Sequence, residues 1–440
     1  MERRIIVWIN NDLRVRDNQA LYKAARKGFQ VYPIYVFDPR KFEQSEIGLP
    51  RTGSYRAKFL IESVADLKQN LKRLGSDLLI RVGKPEEVLP ELAAELKVNW
   101  LYTSKEVATE EVEIEEKLEV ALAKLGVLTE FFWQSTLHHV QDVPWPIKHL
   151  PDVFTEFRKE LEQVSTPRDA FPEPNCLEPL NLEEGKLGDL PTLQDFGLSE
   201  PVIDERSVLN FKGGETAALN RLQQYIWEQD LLKDYKETRN GLVGANYSSK
   251  FSAWLANGSL SPRTIYEEIK KYEQIRVKNR STYWLYFELL WRDYFKFVTK
   301  KYGSKIFHLS GFLGNGIESN QDIESFQKWK EGATLEPFVN ANMLELAFTG
   351  FMSNRGRQNV ASYLVNDLKV DWRWGASYFE SLLIDYDVSS NWCNWAYIAG
   401  VGNDPRSDRY FNIPSQAKKY DPHGEYVELW LSDQKIRVRR

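Results

Sequence analysis

The 440-residue sequence contains only two cysteines, Cys176 and Cys393, and five histidines. Two thiols exclude a disulfide framework and point to a reducing compartment. With five scattered histidines they also exclude a structural zinc site. No apolar run approaches the length of a membrane span, and the opening MERRIIVWIN reads as a first strand, not a leader. The expected location is therefore cytoplasmic. Excess positive charge is missing as well: 58 Lys and Arg against 63 Asp and Glu leave a net charge of −5. That excludes a generally basic nucleic-acid coat, so any nucleic-acid contact must come from a local patch.

Aromatic residues, in contrast, are plentiful, at 13% with 14 tryptophans. The length implies two domains, and 42% apolar against 28% charged residues is the balance of a protein with large cores. Apolar runs at 4–9, 31–37, 77–82, 99–104 and 127–133 alternate with amphipathic stretches at 18–27, 54–74, 85–96 and 109–125. This pattern predicts βαβ units and a doubly wound parallel sheet over residues 1–135. No G-x-G-x-x-G follows the first strand, so the ordinary dinucleotide fingerprint is absent. Residues 136–206 carry nine of the nineteen prolines and read as a long connector, with one helix near 152–163. From 207 to 440 the pattern is helical almost without interruption, which predicts an all-α second domain.

The densest signal lies between Asn340 and Asn412. SNRGR, DWRWG, LIDYD and SNWCNW follow one another there, and Trp372, Trp374, Trp392 and Trp395 fall within 24 residues. On composition alone this is a half-buried aromatic core with polar ends. In order and spacing it resembles the flavin-binding core of the photolyase/cryptochrome family. LLKDYKETRNGLVGANYSSKFS and the run NWCNWAYIAGVGNDPRSDRYFNIPSQAKKYDPHGEYVELW resemble its cryptochrome DASH branch most. The resemblance covers essentially the whole chain and is weakest at 136–206 and 306–345.

The resemblance implies an α/β antenna domain, an all-α FAD-binding domain and an FAD cofactor. Tyr235, Ser248, Ser249, Lys250, Phe251 and Ser252 match the loop around the flavin diphosphate; read alone, that loop is a helix N-cap. Asp385 and Asp387 match the carboxylates at the flavin ring edge and ribose, and Arg357 the partner of Asp385. Asn391 matches the residue facing flavin N5. Arg292 matches a residue near the cofactor, and Asn354 one that bridges cofactor and substrate. Trp395 and Trp372 match the inner and middle members of an electron relay. Glu288 and Trp291 match residues that meet a pyrimidine dimer, with Tyr397 and Gln416 at the cavity mouth; spacing alone allows Glu288 and Arg292 an i,i+4 surface pair, but their large apolar neighbours make this face buried or pocket-lining. Lys296, Lys300, Lys301 and Lys305 are expected to form the basic patch. Glu106 matches the acidic ligand of a 5,10-methenyltetrahydrofolate antenna, or else it caps a strand end.

Departures from the family pattern are Asn10 and Arg16 in the opening signature, Ser319 at the outer relay tryptophan, and Asn340 and Leu344 in place of an Asp–Arg pair. Ser353, Asn354 and Gln358 stand where (6-4) repair needs histidine. The function implied is light-driven repair of cyclobutane pyrimidine dimers in single-stranded DNA by a monomer, with no metal and no membrane. A signalling photoreceptor is the alternative. Because the chain stops soon after the core, at Arg440, the reading leans toward repair.

Overall fold

The computed structural model describes residues 3–438 apart from 181, 315, 405, 407 and 408. Five strands, β1 (Arg4–Ile9), β2 (Gln30–Phe37), β3 (Leu79–Val82), β4 (Trp100–Ser104) and β5 (Leu128–Phe132), pair in the order β3-β2-β1-β4-β5. Every pairing is parallel. The crossovers are α1 (Gln19–Arg26), α2 (Ser54–Arg73), α3 (Pro85–Leu96) and α4 (Thr109–Lys124). Helices cover both sheet faces, so β1 and β2 must be apolar on both sides; they are, and β2 is buried at every position. Val7 and Ile9 pack with Val64, Leu67 and Leu71 of α2 on one face. Ile6 and Trp8 pack with Leu92 and Leu118 of α3 and α4 on the other.

The proline-rich connector contributes to three cores. Leu177 packs under the first face of the sheet and Leu180 against the second. Its helix Phe154–Val164 gives Phe154, Phe157 and Leu161 to the helical half.

The NNDLRVRDN loop after β1 fastens the two halves together. The Glu215 carboxylate accepts the N–H groups of Val15 (2.9 Å) and Arg16 (3.0 Å). Arg14, buried, donates to the Gly258 carbonyl at 2.8 Å, and Arg263 pairs with Asp17 at 2.7 Å. A Cβ on Gly258, whose φ is +73°, would sit 1.9 Å from the Asn11 carbonyl oxygen, so only glycine allows this approach. The loop lies at the carboxyl edge of the sheet, where α/β folds take ligands; here much of it docks the second half.

The helical half is less continuous than its sequence pattern predicts. Residues 240–251 and 308–314 are turns and loop, because Gly244, Lys250, Gly311 and Gly314 hold positive φ and serine hydroxyls compete for backbone groups. Helices Arg280–Tyr302, Pro337–Thr349, Asn354–Ser362, Trp372–Leu382 and Val388–Ile398 surround the site. Among the described residues no helix is long and apolar enough to cross a membrane, and no His, Cys, Asp and Glu cluster is arranged for a metal ion.

Candidate active site

A cleft opens between helices Asn354–Ser362, Trp372–Leu382 and Val388–Ile398. Asn354, Arg357, Asp385, Asp387, Asn391 and Trp395, all singled out by the sequence, line it. Arg357 grips both oxygens of Asp385 at 2.8 and 3.0 Å and donates to the Met352 carbonyl at 2.9 Å. A two-bond pair of this kind gives a buried carboxylate its hydrogen-bond partners. Asp387 caps helix Val388–Ile398 through the Ser390 N–H (2.8 Å) and pairs with Lys296 at 3.0 Å. Burial works against its charge, but Lys296 and Arg292 outweigh burial and hold the carboxyl well below the usual range. The Asn391 amide donates to the Ala376 carbonyl at 3.0 Å, which fixes the side chain's orientation at the cleft wall. Gly375 lets Trp395 reach the cleft: a Cβ there would lie 2.2 Å from the indole.

The lining also includes Gln358, which the sequence reading named only as a place without histidine, and Phe379, Leu383, Tyr386, Asn394 and Ile398, which it passed over. The signal was available in the spacing. Residues 354, 357, 358 and 361 share one helix face, and 387, 391, 394, 395 and 398 another.

Trp372 and Arg292 do not line this cleft. Arg292 donates to the carbonyls of Ser135 (2.5 Å) and Leu255 (3.1 Å). The i,i+4 pair of Glu288 and Arg292 is therefore not what forms; Glu288 is ion-paired with Arg239, forty-nine residues earlier. Burial raises the Glu288 carboxyl and Arg239 opposes the rise. Tyr235, buried, stands beside both groups, and burial followed by the Glu288 charge raises its phenol. One turn along the helix, Trp291 stacks on Phe154 (centroids 3.7 Å, 13°) and meets Tyr397 edge-on at 5.8 Å. Arg409 covers Tyr397 at 4.2 Å. Gln416 has a buried Oε1 without a partner among the described residues.

The expected lysine patch does not form as a unit. Lys296 is buried in its pair with Asp387, and Lys301 is held by Asp152 at 2.7 Å. Lys296 lies on the buried side of the helix and Lys301 is half-buried, and a carboxylate from another part of the chain meets each.

The Ser248–Ser252 stretch is shaped by a buried arginine. Arg221 donates to the carbonyls of Ala245 (2.9 Å), Ser248 (3.3 Å) and Ser249 (3.1 Å). Trans peptide geometry then turns the N–H groups of Ser249 and Lys250 away from Arg221. Lys250 sits at φ +62°, and its ammonium lies over the Tyr247 ring. Burial pulls the Lys250 amine well below its usual value against the charge of Glu345. The helix that follows, Ser252–Ala256, is only one turn long, so the loop's own groups, not a helix dipole, would meet an anion.

Glu106 is buried, takes a 3.0 Å bond from the Asn11 amide and is raised by burial against the pull of Lys296. Asn340 replaces its expected ion pair with amide bonds to Thr334: N–H at 2.9 Å, hydroxyl at 2.7 Å and carbonyl at 2.9 Å. Leu344 lies buried nearby.

The donor set fits a flavin dinucleotide. The Tyr247 hydroxyl is buried with no partner among the described residues and lies in the field of Glu345, Arg357 and Asp385. Ser389 at the Asp387 cap is orphaned in the same way. Such groups are costly unless something else bonds them.

Comparison with known proteins shows the family of this chain. The family described as DNA photolyase matches residues 5–175, and the FAD binding domain of DNA photolyase matches residues 284–436. A cryptochrome DASH from Gloeobacter violaceus is 52% identical over 429 residues, which is 98% of this chain and 85% of the relative. The crystal structure of a Synechocystis cryptochrome superposes with a TM-score of 0.95 at 49% identity, covering 99% of this chain and 90% of that one. An archaeal photolyase from Sulfolobus tokodaii, described with two FAD molecules and a novel light-harvesting cofactor, scores 0.79 at 26% identity, covering 98% and 91%.

Proposed function

Because the chain belongs to the photolyase/cryptochrome family, in its cryptochrome DASH branch, we propose that it is a light-driven flavoenzyme that repairs cyclobutane pyrimidine dimers in single-stranded DNA. The observation that carries this reading is the gathering of Asn354, the Arg357–Asp385 pair, Asp387, Asn391 and Trp395 around one cleft. FAD, when bound there, supplies the photoexcited one-electron donor whose electron opens the dimer and then returns. Arg357–Asp385 and Asp387 hold the ring edge and ribose side, and the Ser248–Ser252 loop with Tyr235 holds the diphosphate. Anchored on Ala376, Asn391 presents its remaining amide groups to the flavin ring.

Glu288 hydrogen-bonds a dimer carbonyl, Asn354 orients the lesion, and Trp291, Tyr397 and Gln416 line its entry. Trp291 already spends one face on Phe154, and Tyr397 offers a smaller ring than tryptophan. This modest aromatic grip suits a base that need not be pulled from a duplex. The same reading places a folate antenna at Glu106.

The decisive experiment illuminates flavin-loaded protein, kept reduced, with dimer-containing single-stranded and duplex oligonucleotides and counts restored thymines. Repair of the single strand alone is the expected result. No repair of either, with the flavin fully reduced, rejects the enzyme and leaves a photoreceptor.

A further inference from the structure

Two chains of touching aromatic rings leave the cleft, and they end differently. One starts at Tyr386 in the lining, whose hydroxyl takes the Trp392 N–H at 3.2 Å, and continues to Trp372 at 5.8 Å. Trp372 is fully buried, with its indole N–H fixed on the Leu309 carbonyl at 3.0 Å. Beyond it, the position where the sequence comparison looks for an outer tryptophan is Ser319, which has no ring to carry the path on.

The other chain starts at Trp395, also in the lining. It steps to Trp329 at 6.2 Å, to Phe326 at 5.9 Å and to Trp374 at 5.3 Å. Trp329 is fully buried, its N–H on the Val360 carbonyl at 2.9 Å. Trp374 is half-buried, and its indole N–H has no acceptor among the described residues, yet it is not a buried orphan either; it faces water.

An indole that has lost an electron is stabilised by solvation and by releasing its N–H proton, and both need water. Trp374 offers both, whereas Trp372 and Trp329 offer neither. Tyr378 also touches Trp329, at 5.8 Å, but its phenol is bonded to the Lys330 carbonyl. The Lys330 ammonium lies over the rings of Phe326 and Tyr378 at 5.9 and 5.7 Å, which disfavours positive charge on either.

We propose that Trp374 is the terminal electron donor of this protein, feeding the cofactor cleft through Trp329 and Trp395, with the electron tunnelling past Phe326. This rests on the flavin reading above. One electron leaves Trp374 and reduces the excited flavin. The oxidised indole gives its N–H proton to water, and a soluble thiol returns one electron and one proton, two such turnovers converting two thiols to one disulfide.

The test begins without cofactor. In the flavin-free protein, replacing Trp374 by Phe removes one of the six half-buried indoles and lowers the acrylamide-quenchable tryptophan emission by a corresponding share, whereas replacing the buried Trp392 leaves it. Flavin-loaded variants are then illuminated with dithiothreitol. Trp374→Phe is expected to slow photoreduction at least about tenfold at unchanged flavin content, with loss of the long-lived neutral tryptophanyl signal in transient spectra. Trp392→Phe keeps the rate within about twofold. Adding Ser319→Trp to Trp374→Phe restores it by giving the Trp372 chain an outlet. Photoreduction of Trp374→Phe at the parental rate overturns the proposal, as does a parent that binds flavin and is reduced by dithionite but never by light. A chain that binds no flavin overturns the functional reading instead.

Discussion

The two halves of the molecule treat buried polar groups differently. In the sheet half, Asp12 is buried but bonded by Ser104 (2.7 Å), Gln134 (2.7 Å) and Asn18 (3.1 Å), and the side-chain atoms left without partners there are hydroxyls such as those of Ser76 and Thr103. In the helical half the orphans include Tyr247, Glu345 Oε1, Arg355 Nε, Ser389 and Gln416 Oε1. A buried hydroxyl without a partner costs less than a charged group left half-satisfied. The first half satisfies its buried charged groups from within, whereas the second leaves several charged and amide atoms without partners among the described residues. The difference argues that the helical half is stabilised by what it holds.

The largest break in that comparison is Arg357→Ala. It leaves Asp385, buried in the cleft wall, without its counter-charge, which costs roughly 3–5 kcal/mol. A fall of several degrees in Tm and loss of flavin through purification are expected. A variant as stable and as yellow as the parent would show that Arg357 does not hold the site.

Next comes the pH dependence set by Glu345. This carboxyl is fully buried behind the Ser248–Lys250 loop, bonded to the Tyr426 hydroxyl at 2.6 Å, and burial raises it to about 7 against the pull of Lys250 and Arg357. Its folded value lies above its ordinary one, so between about pH 4.5 and 7 the folded state keeps a proton that the unfolded state has released. Stability from this group is then fully present at the acid end and falls as pH rises through the window, by at most about 1.4 kcal/mol per unit. Glu345→Gln should remove that slope, read as the difference between urea midpoints at pH 5 and 7.5. Parallel profiles for both proteins would contradict it.

How much of this was legible in the sequence differs between the halves for the same physical reason. The period of the runs places all five strands of the sheet to within about two residues, because parallel strands buried on both faces have to be apolar throughout. In the helical half, six residues of the cleft lining were picked out because the resemblance rests on that stretch. Their neighbour Asn394 was passed over although helical spacing puts it on the face of Asn391, and Tyr386, in the loop ahead of that helix, gave no such signal. Pairings across the fold were not readable at all. Glu288 has an arginine four residues away yet pairs with Arg239, and Lys296, read as surface, is buried on Asp387. Spacing along one helix says which side chains could meet, whereas desolvation decides which charges must.

A smaller effect comes from the neutral substitute for the lost ion pair. Asn340 is buried and makes three bonds to the Thr334 turn, and the buried Leu344 lies one helical turn further on. Asn340→Asp or Leu344→Arg alone introduces one charge without its partner and should cost roughly 1–3 kcal/mol. The double variant should recover most of it, with a coupling of about 1 kcal/mol or more. Additive losses in a urea double-mutant cycle would mean the two positions act separately.

The smallest effect is also the sharpest test of the contrast. Thr103→Val in β4 removes an orphaned hydroxyl at nearly constant shape, and Tyr247→Phe does the same in the helical half. Without cofactor, both should leave the fold as stable as the parent or more stable by up to about 1 kcal/mol, since a desolvated hydroxyl is gone in each. With cofactor they should part. Thr103→Val keeps its gain and its flavin affinity, whereas Tyr247→Phe gives up a bond made only to the ligand and weakens flavin binding by roughly tenfold, about 1.4 kcal/mol. Equal flavin affinity in the two variants, measured by fluorescence titration of flavin-free protein, would mean that the Tyr247 hydroxyl is an ordinary packing defect and that the orphans of the helical half do not mark the site.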